Sequence, residues 1–170
     1  SLVGSEMCIR DSFLNSYNRD VLTKMFDDNR LTYTSLFKAR PHIFVSKSNP
    51  LAKHEVVSLE DLEDFPYLSY DQGIHNSFYY SEEILSQIPH KKSIVVSDRA
   101  TLFNLLIGLD GYTIATGILN SNLNGDNIVS IPLDIDDEID IVYLKHEKAT
   151  LSKMGEKFLD NLVKEVTFDN

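Results

Sequence analysis

Apolar residues in this chain fall into short runs whose period switches between two and about 3.6, and the switches alternate along the sequence. Phe13-Leu14 reads as the end of a strand. Val21, Leu22, Met25 and Phe26 then fall at helical spacing, with Ser16 or Asn18 placed as N-cap. Leu31 to Phe37 alternates as a strand should, with Leu31, Tyr33 and Phe37 on one face, and His42 to Ser46 is a second, more apolar strand. Asn49-Pro50 ends that strand, because Pro50 lacks the backbone donor a continued ladder needs. Ser58 and Asp61 are spaced as a capping box for a helical turn that leads into a strand over Phe65 to Tyr70. A helix is predicted over Phe78 to Ile88, stopped by Pro89.

The densest unit follows. Ser93 to Val96 is a strand, Leu102 to Ile107 a helix apolar around more than half its circumference, and Tyr112 to Ala115 a strand. Such a helix should pack on a sheet, expose little, and end near Gly108 to Gly111, where glycine permits a left-handed cap. Strand, helix and strand make a right-handed crossover, from which a parallel sheet is expected. Asn124-Gly125 marks a turn before the strand Ile128 to Ile131, Ile139 to Leu144 is another strand, and Leu151 to Val166 is an amphipathic terminal helix. Pro66 and the stretch from Pro132 to Glu138 are predicted to carry the chain between two lobes.

Composition narrows the function classes. At 170 residues and 42% hydrophobic the chain suffices for one ordinary core or two small lobes. No apolar run approaches the roughly 18 residues of a membrane span. The net charge of −10 repels phosphate backbones; if the protein regulates transcription, its DNA contacts must lie on sequence other than this. Residues 1–12 carry no helical or strand period, look like a translated sequencing-adapter segment, and are set outside the predicted fold. Cys8 lies in that segment, so neither a disulfide framework nor a cysteine-ligated zinc site is expected elsewhere. The five histidines lack metal-ligand spacing and read as surface or edge residues. The acidic run Asp134, Asp136, Asp137, Glu138 and Asp140 lacks the glycine and spacing of a calcium loop and reads as a solvated strand face. No nucleophile elbow, phosphate-binding loop or acid-base-nucleophile set stands out, which disfavours a small α/β enzyme.

The order of motifs is more specific than any one of them. Asn49-Pro-Leu-Ala52 followed by Val57-Ser-Leu-Glu-Asp-Leu62 and Phe65-Pro-Tyr67 resembles the segment by which LysR-type transcriptional regulators pass from one half of their effector-binding domain to the other. Val96-Ser-Asp-Arg-Ala-Thr101, then Gly108-Leu-Asp-Gly-Tyr-Thr-Ile114, and Leu151-Ser152 before the last helix are similar to later motifs of the same family. Asn49 departs from the family's usual His, Leu109 from its Gly, and Thr116-Gly117 from its Pro.

The resemblance implies a two-lobed α/β fold like that of type II periplasmic binding proteins, with a small-molecule effector held between the lobes. The mapping places residues 13–65 plus 133–168 in a first lobe, incomplete for want of its first strand and helix, and residues 66–132 in a second. It also implies a bacterial, cytoplasmic, non-enzymatic regulator without cofactor or metal, dimeric or tetrameric at full length, whose DNA-binding helix-turn-helix lies outside this sequence. A solute-binding protein of a transporter shares the architecture and is the alternative.

Ligands of open α/β sheets gather beyond the carboxyl ends of parallel strands, where helix N-termini present amides. Here that place is the turn from Val96 to Thr101. Ser97 and Asp98 read equally well as helix caps or effector contacts. Thr101 is favoured as a contact, since a threonine in a helix of leucines has little local reason to be there. Ser69, Tyr70, Asp71 and Gln72 match the family's cleft-facing crossover and read otherwise as an exposed turn. Thr116, at the end of the next strand, completes the candidate set.

Overall fold

The computed structural model describes residues 10–71, 85, 88–119 and 126–168. The elements are β1 (Arg10–Leu14), α1 (Arg19–Asp28), β2 (Leu31–Ala39), β3 (His42–Ser46), β4 (Tyr67–Tyr70), β5 (Ser93–Val96), α2 (Arg99–Gly108), β6 (Tyr112–Ala115), β7 (Ile128–Pro132), β8 (Ile139–His146) and α3 (Lys153–Phe168). They form two compact units, one built from the described residues up to Ala39 and from Glu138 on, the other from Arg40–Asp137.

In the first unit β8 is the centre of a three-stranded antiparallel sheet, β1-β8-β2. α1 packs its Leu22 and Phe26 onto Leu14, Val142 and Leu144, four residues apart as one helical face requires. Residues 10–12, expected outside the fold, belong to β1, where Ser12 lies opposite Val142. Strand pairing uses backbone groups that every residue but proline supplies, so an aperiodic side-chain pattern does not prevent it. Asn18 stands at the helix start as expected, yet its side chain caps no helix amide; it accepts from Asn15 N and donates to Phe13 O, tying the β1–α1 turn to itself. Asp140, expected on a solvated face with its acidic neighbours, is buried at 5% exposure, where it accepts from the Arg19 guanidinium at 3.2 Å and from the Ser35 hydroxyl. The charge survives burial because it is paired and hydrogen-bonded.

The second unit is a five-stranded sheet in the order β5-β4-β6-β3-β7. The mapping put β3 in the first lobe with the Leu31–Phe37 strand; instead it pairs antiparallel with β6 and β7 in the second unit, and the expected lobe boundary at residues 65/66 falls inside this unit. Burial explains the placement. Ile43, Phe44, Val45 and Ser46 are all buried, as in a strand covered on both faces, whereas Thr32 to Ser35 of β2 are exposed, as on an edge. The sheet is therefore mixed rather than parallel. Its parallel part is β5, β4 and β6, with β4 between the two strands that α2 joins.

α2 buries Leu102 and Leu106 on Phe44, Leu68, Val96 and Ile128, each leucine contributing about 1.5–3 kcal/mol. Thr101, Asn104 and Ile107 face solvent, so the helix exposes more than its composition suggested. Its end also differs from expectation: the left-handed residue is Asp110 (φ 50°), not a glycine. Gly111 serves close packing, since a Cβ there would sit 2.9 Å from Leu68 Cδ1 and 3.0 Å from Pro66 O. Ser58 and Asp61 make the expected reciprocal bonds, Ser58 N to Asp61 Oδ2 at 2.9 Å and Asp61 N to Ser58 Oγ at 3.3 Å, around a turn rather than a helix. The expected helix over residues 78–88 and the turn at 124–125 lie outside the described residues, apart from Leu85 and Ile88.

Candidate functional site

The carboxyl ends of β4, β5 and β6 finish level with one another. Tyr70 is in register with Val96, and because Tyr67 pairs with Tyr112, Ala115 lies at the same height three residues on. The chain thus brings Ser69, Tyr70 and Asp71, then Ser97, Asp98 and Thr101, then Thr116 to one edge of the second unit's sheet. This is where an open α/β sheet offers its unpaired strand ends to a ligand. Gln72, the remaining expected residue, lies outside the described residues.

Their environments differ. Ser69 is buried and Tyr70 half-buried against the core around Leu68, while Asp71 is exposed and its amide donates to Val96 O at 2.8 Å, holding β4 and β5 together one residue past their pairing. Ser97 and Asp98 are exposed. Asp98 is the N-cap of α2, accepting from Thr101 N at 2.9 Å through Oδ1. The Thr101 hydroxyl donates to its Oδ2 at 2.7 Å. Thr101 therefore has a local reason to stand in a helix of leucines: it is the third helical residue, where a hydroxyl reaches back to the cap. The Thr101 amide, then its hydroxyl, and further the Ala100 amide hold the Asp98 carboxyl below the usual carboxylate range. Arg99 turns along α2, its guanidinium 4.9 Å from the centre of the Phe103 ring.

On the β6 side, Thr116 is half-buried and precedes Gly117, whose φ of 84° a side chain would strain. A Cβ at Gly117 would also lie 2.6 Å from His42 Nδ1. Ser130 Oγ donates to Gly117 O at 3.2 Å, so β7 helps fix this turn. His42, opposite Ala115 at the start of β3, thus borders the same edge, with Nδ1 2.8 Å from Arg40 O. Sequence reasoning missed it, because only the antiparallel placement of β3 beside β6 turns its amino end toward the others' carboxyl ends. Among the described residues no group of three or more His, Cys, Asp or Glu side chains is placed to hold a metal ion.

At the opposite end of the parallel strands lies a second polar feature. His90 stacks on Tyr67 with ring centres 3.8 Å apart, and its Nδ1 is 2.8 Å from the Tyr112 hydroxyl. His90 Nε2 is buried without a partner among the described residues. Burial pushes the His90 pKa down and that of Tyr112 up to about 12. This histidine is not the loose surface residue its spacing suggested.

Comparison with known proteins agrees with the geometry. The family model for the LysR substrate binding domain matches residues 20–167. Among solved structures, the PA01 LysR-family protein of Pseudomonas aeruginosa is similar with TM-score 0.59 and 16% identity, over 92% of this chain and 54% of that one. The BenM effector binding domain with benzoate gives TM-score 0.56 and 21% identity, over 81% and 63%. The effector binding domain of QuiR in complex with shikimate gives 0.55 and 19%, over 79% and 65%. The chain thus spans about half the length of the first of these and under two thirds of the other two. At these identities the likeness establishes the α/β, periplasmic-binding-protein-like fold. No curated protein matches the chain.

Proposed function

Since this chain belongs to the LysR substrate-binding domain family, we propose that it is the effector-sensing domain of a LysR-type transcriptional regulator, taking a small molecule at the strand-end edge of its second unit. The observation that carries the reading is the level finish of β4, β5 and β6, which gathers Ser69, Thr101 and Thr116 hydroxyls, the Asp98 cap and the Asp71 carboxylate. Buried and half-buried hydroxyls beside exposed carboxylates can orient a polar ligand but supply no nucleophile with its base, so the role is recognition rather than turnover. Among the described residues no helix is long and apolar enough to cross a membrane. A cytoplasmic protein is the corresponding reading, and at net charge −10 it reaches DNA only through a separate basic domain, as a homodimer or homotetramer. The transporter solute-binding alternative rests on architecture alone, and no finding favours it.

A compound screen by thermal shift on the whole chain tests this, because a ligand at a hundred times its Kd stabilises the folded state by about 2.7 kcal/mol. For each compound that raises the melting temperature, calorimetry on Ser69→Ala and Thr116→Val should show binding weakened about tenfold, the worth of one buried hydrogen bond to a polar ligand. Affinities equal to wild type in both variants would take this edge out of the site.

A further inference from the structure

We propose that His42 determines which effector the strand-end edge accepts: its Nε2 takes a hydrogen bond from a hydroxyl group of the ligand at the corner where β3 meets the turn after β6. The proposal rests on the reading of that edge as the effector site. His42 starts β3 opposite Ala115, and Thr116 and Gly117 follow directly on β6. The imidazole is held there on two sides. Its Nδ1 lies 2.8 Å from Arg40 O, and a carbonyl oxygen only accepts, so Nδ1 carries the proton of this bond. In a neutral ring the other nitrogen is then a lone pair, and Nε2 acts as an acceptor alone.

The second hold is Gly117. A Cβ at this residue would lie 2.6 Å from Nδ1, 2.7 Å from Cγ and 2.9 Å from Cε1, so the imidazole fills the space that another residue's side chain would take. Ser130 Oγ fixes the Gly117 carbonyl in turn. Ring position and tautomer are thus both set before a ligand arrives, while Nε2 makes no hydrogen bond among the described residues. The tether explains Nδ1 only. An asparagine would donate to Arg40 O as well, so the outer half of the ring has no task in the fold. An independent observation on the same edge points to a ligand. Ser69 is 8% exposed, and its hydroxyl makes no hydrogen bond among the described residues, an arrangement whose desolvation cost a bound polar group would offset. The half-buried Thr116 hydroxyl beside His42 is equally without a partner among the described residues. A ligand hydroxyl donates to the Nε2 lone pair; an ether or a carboxylate there would set lone pair against lone pair.

The test is a panel of ring alcohols and phenols, each beside its methyl ether, headed by phenol and anisole, with benzoate as the carboxylate. Thermal shift and calorimetry are run on the whole chain at pH 8, where an ordinary imidazole is neutral. Hydroxyl compounds should bind, and their ethers and benzoate should bind at least about tenfold more weakly. His42→Asn puts an amide nitrogen where Nδ1 stood, so it keeps the bond to Arg40 O and removes the acceptor. It should melt as wild type while hydroxyl affinity falls about tenfold and any ether affinity holds. His42→Gln carries its amide oxygen near the place of Nε2, so it should recover part of that affinity although it loses the tether and melts lower. A panel in which no hydroxyl compound binds, or in which His42→Asn weakens ethers as much as hydroxyl compounds, overturns the proposal. If Ser69→Ala and Thr116→Val weaken binding and His42→Asn does not, the edge stands and His42 alone is wrong. If none of the three changes the affinity, the edge itself is wrong and the proposal falls with it.

Discussion

Asn49 joins two loops with the two ends of one amide. Its Oδ1 accepts from Leu51 N at 2.9 Å, starting the short 3-10 turn Pro50–Lys53, and its Nδ2 donates to Asp110 O at 2.7 Å, holding the left-handed residue after α2. The side chain is 1% exposed and the Leu51 amide it accepts from is buried, so its removal leaves a void and an unmet donor that water does not reach. Asn49→Ala should therefore destabilise the protein by about 2–3 kcal/mol, above the cost of an exposed cap. Urea denaturation measures it, and a loss under 0.5 kcal/mol would mean that the two loops hold themselves. At this scale the sequence was legible in type more often than in role. It marked Asn49 as a departure from the family's His and marked Thr101 as out of place among leucines, but the partner of each is a backbone or carboxylate group that no spacing rule of a strand or helix places. Asp140 misled for a related reason: its acidic neighbours Asp134, Asp136 and Glu138 are exposed, and only the convergence of Arg19 and Ser35 on β8 makes a buried charge tolerable.

Period and breakers located the described strands and helices well, since amphipathic spacing and proline act locally. Which sheet a strand joins depends on pairing across the chain, which is why β3 pairs in the second unit although the mapping had placed it in the first lobe. The polar cluster at the amino ends of β4 and β6 was equally invisible, because His90, Tyr67 and Tyr112 meet only through the sheet order. It sets a pH dependence. Burial lowers the folded-state pKa of His90 below its ordinary value near 6.5, while the unfolded chain binds a proton there normally. The unfolded state then holds more protons as pH falls through about 6.5, so stability is complete above that pH and is lost as pH drops toward the folded pKa. Tyr67 and Tyr112 are the rings in contact, and neither offers a negative charge to offset a buried imidazolium. Melting temperatures from pH 8 to pH 5 should fall more steeply for wild type than for His90→Phe, which keeps a ring on Tyr67 but cannot titrate. Parallel curves would show that His90 opens to water before it charges.

For the whole molecule, charge and connectivity each make a prediction. At net charge −10 the chain alone should not retard duplex DNA in a mobility-shift experiment even at low salt, where phosphate contacts are strongest; a shifted band that disappears with salt would contradict this. Connectivity bears on the second unit. Its chain enters and leaves at one place, because His42 pairs with Pro132, Leu133 N donates to Pro41 O at 3.0 Å and Val57 bridges to Leu133. Its five strands all pair within residues 40–137, and its core of Phe44, Leu68, Val96, Leu102, Leu106 and Ile128 comes from the same span. A segment with adjacent ends, a closed set of pairings and its own core meets the conditions for folding alone. Residues 40–137 expressed by themselves should unfold in one cooperative transition with coincident far-UV and aromatic signals, the marks of a two-state domain. The strand-end edge lies wholly on this fragment, so any compound that stabilises the whole chain through Ser69 and Thr116 should also raise the fragment's melting temperature, by less if residues outside the fragment contribute to binding. A fragment that melts without a transition would show that this core is too small to meet the entropy of ordering the span without the rest of the chain.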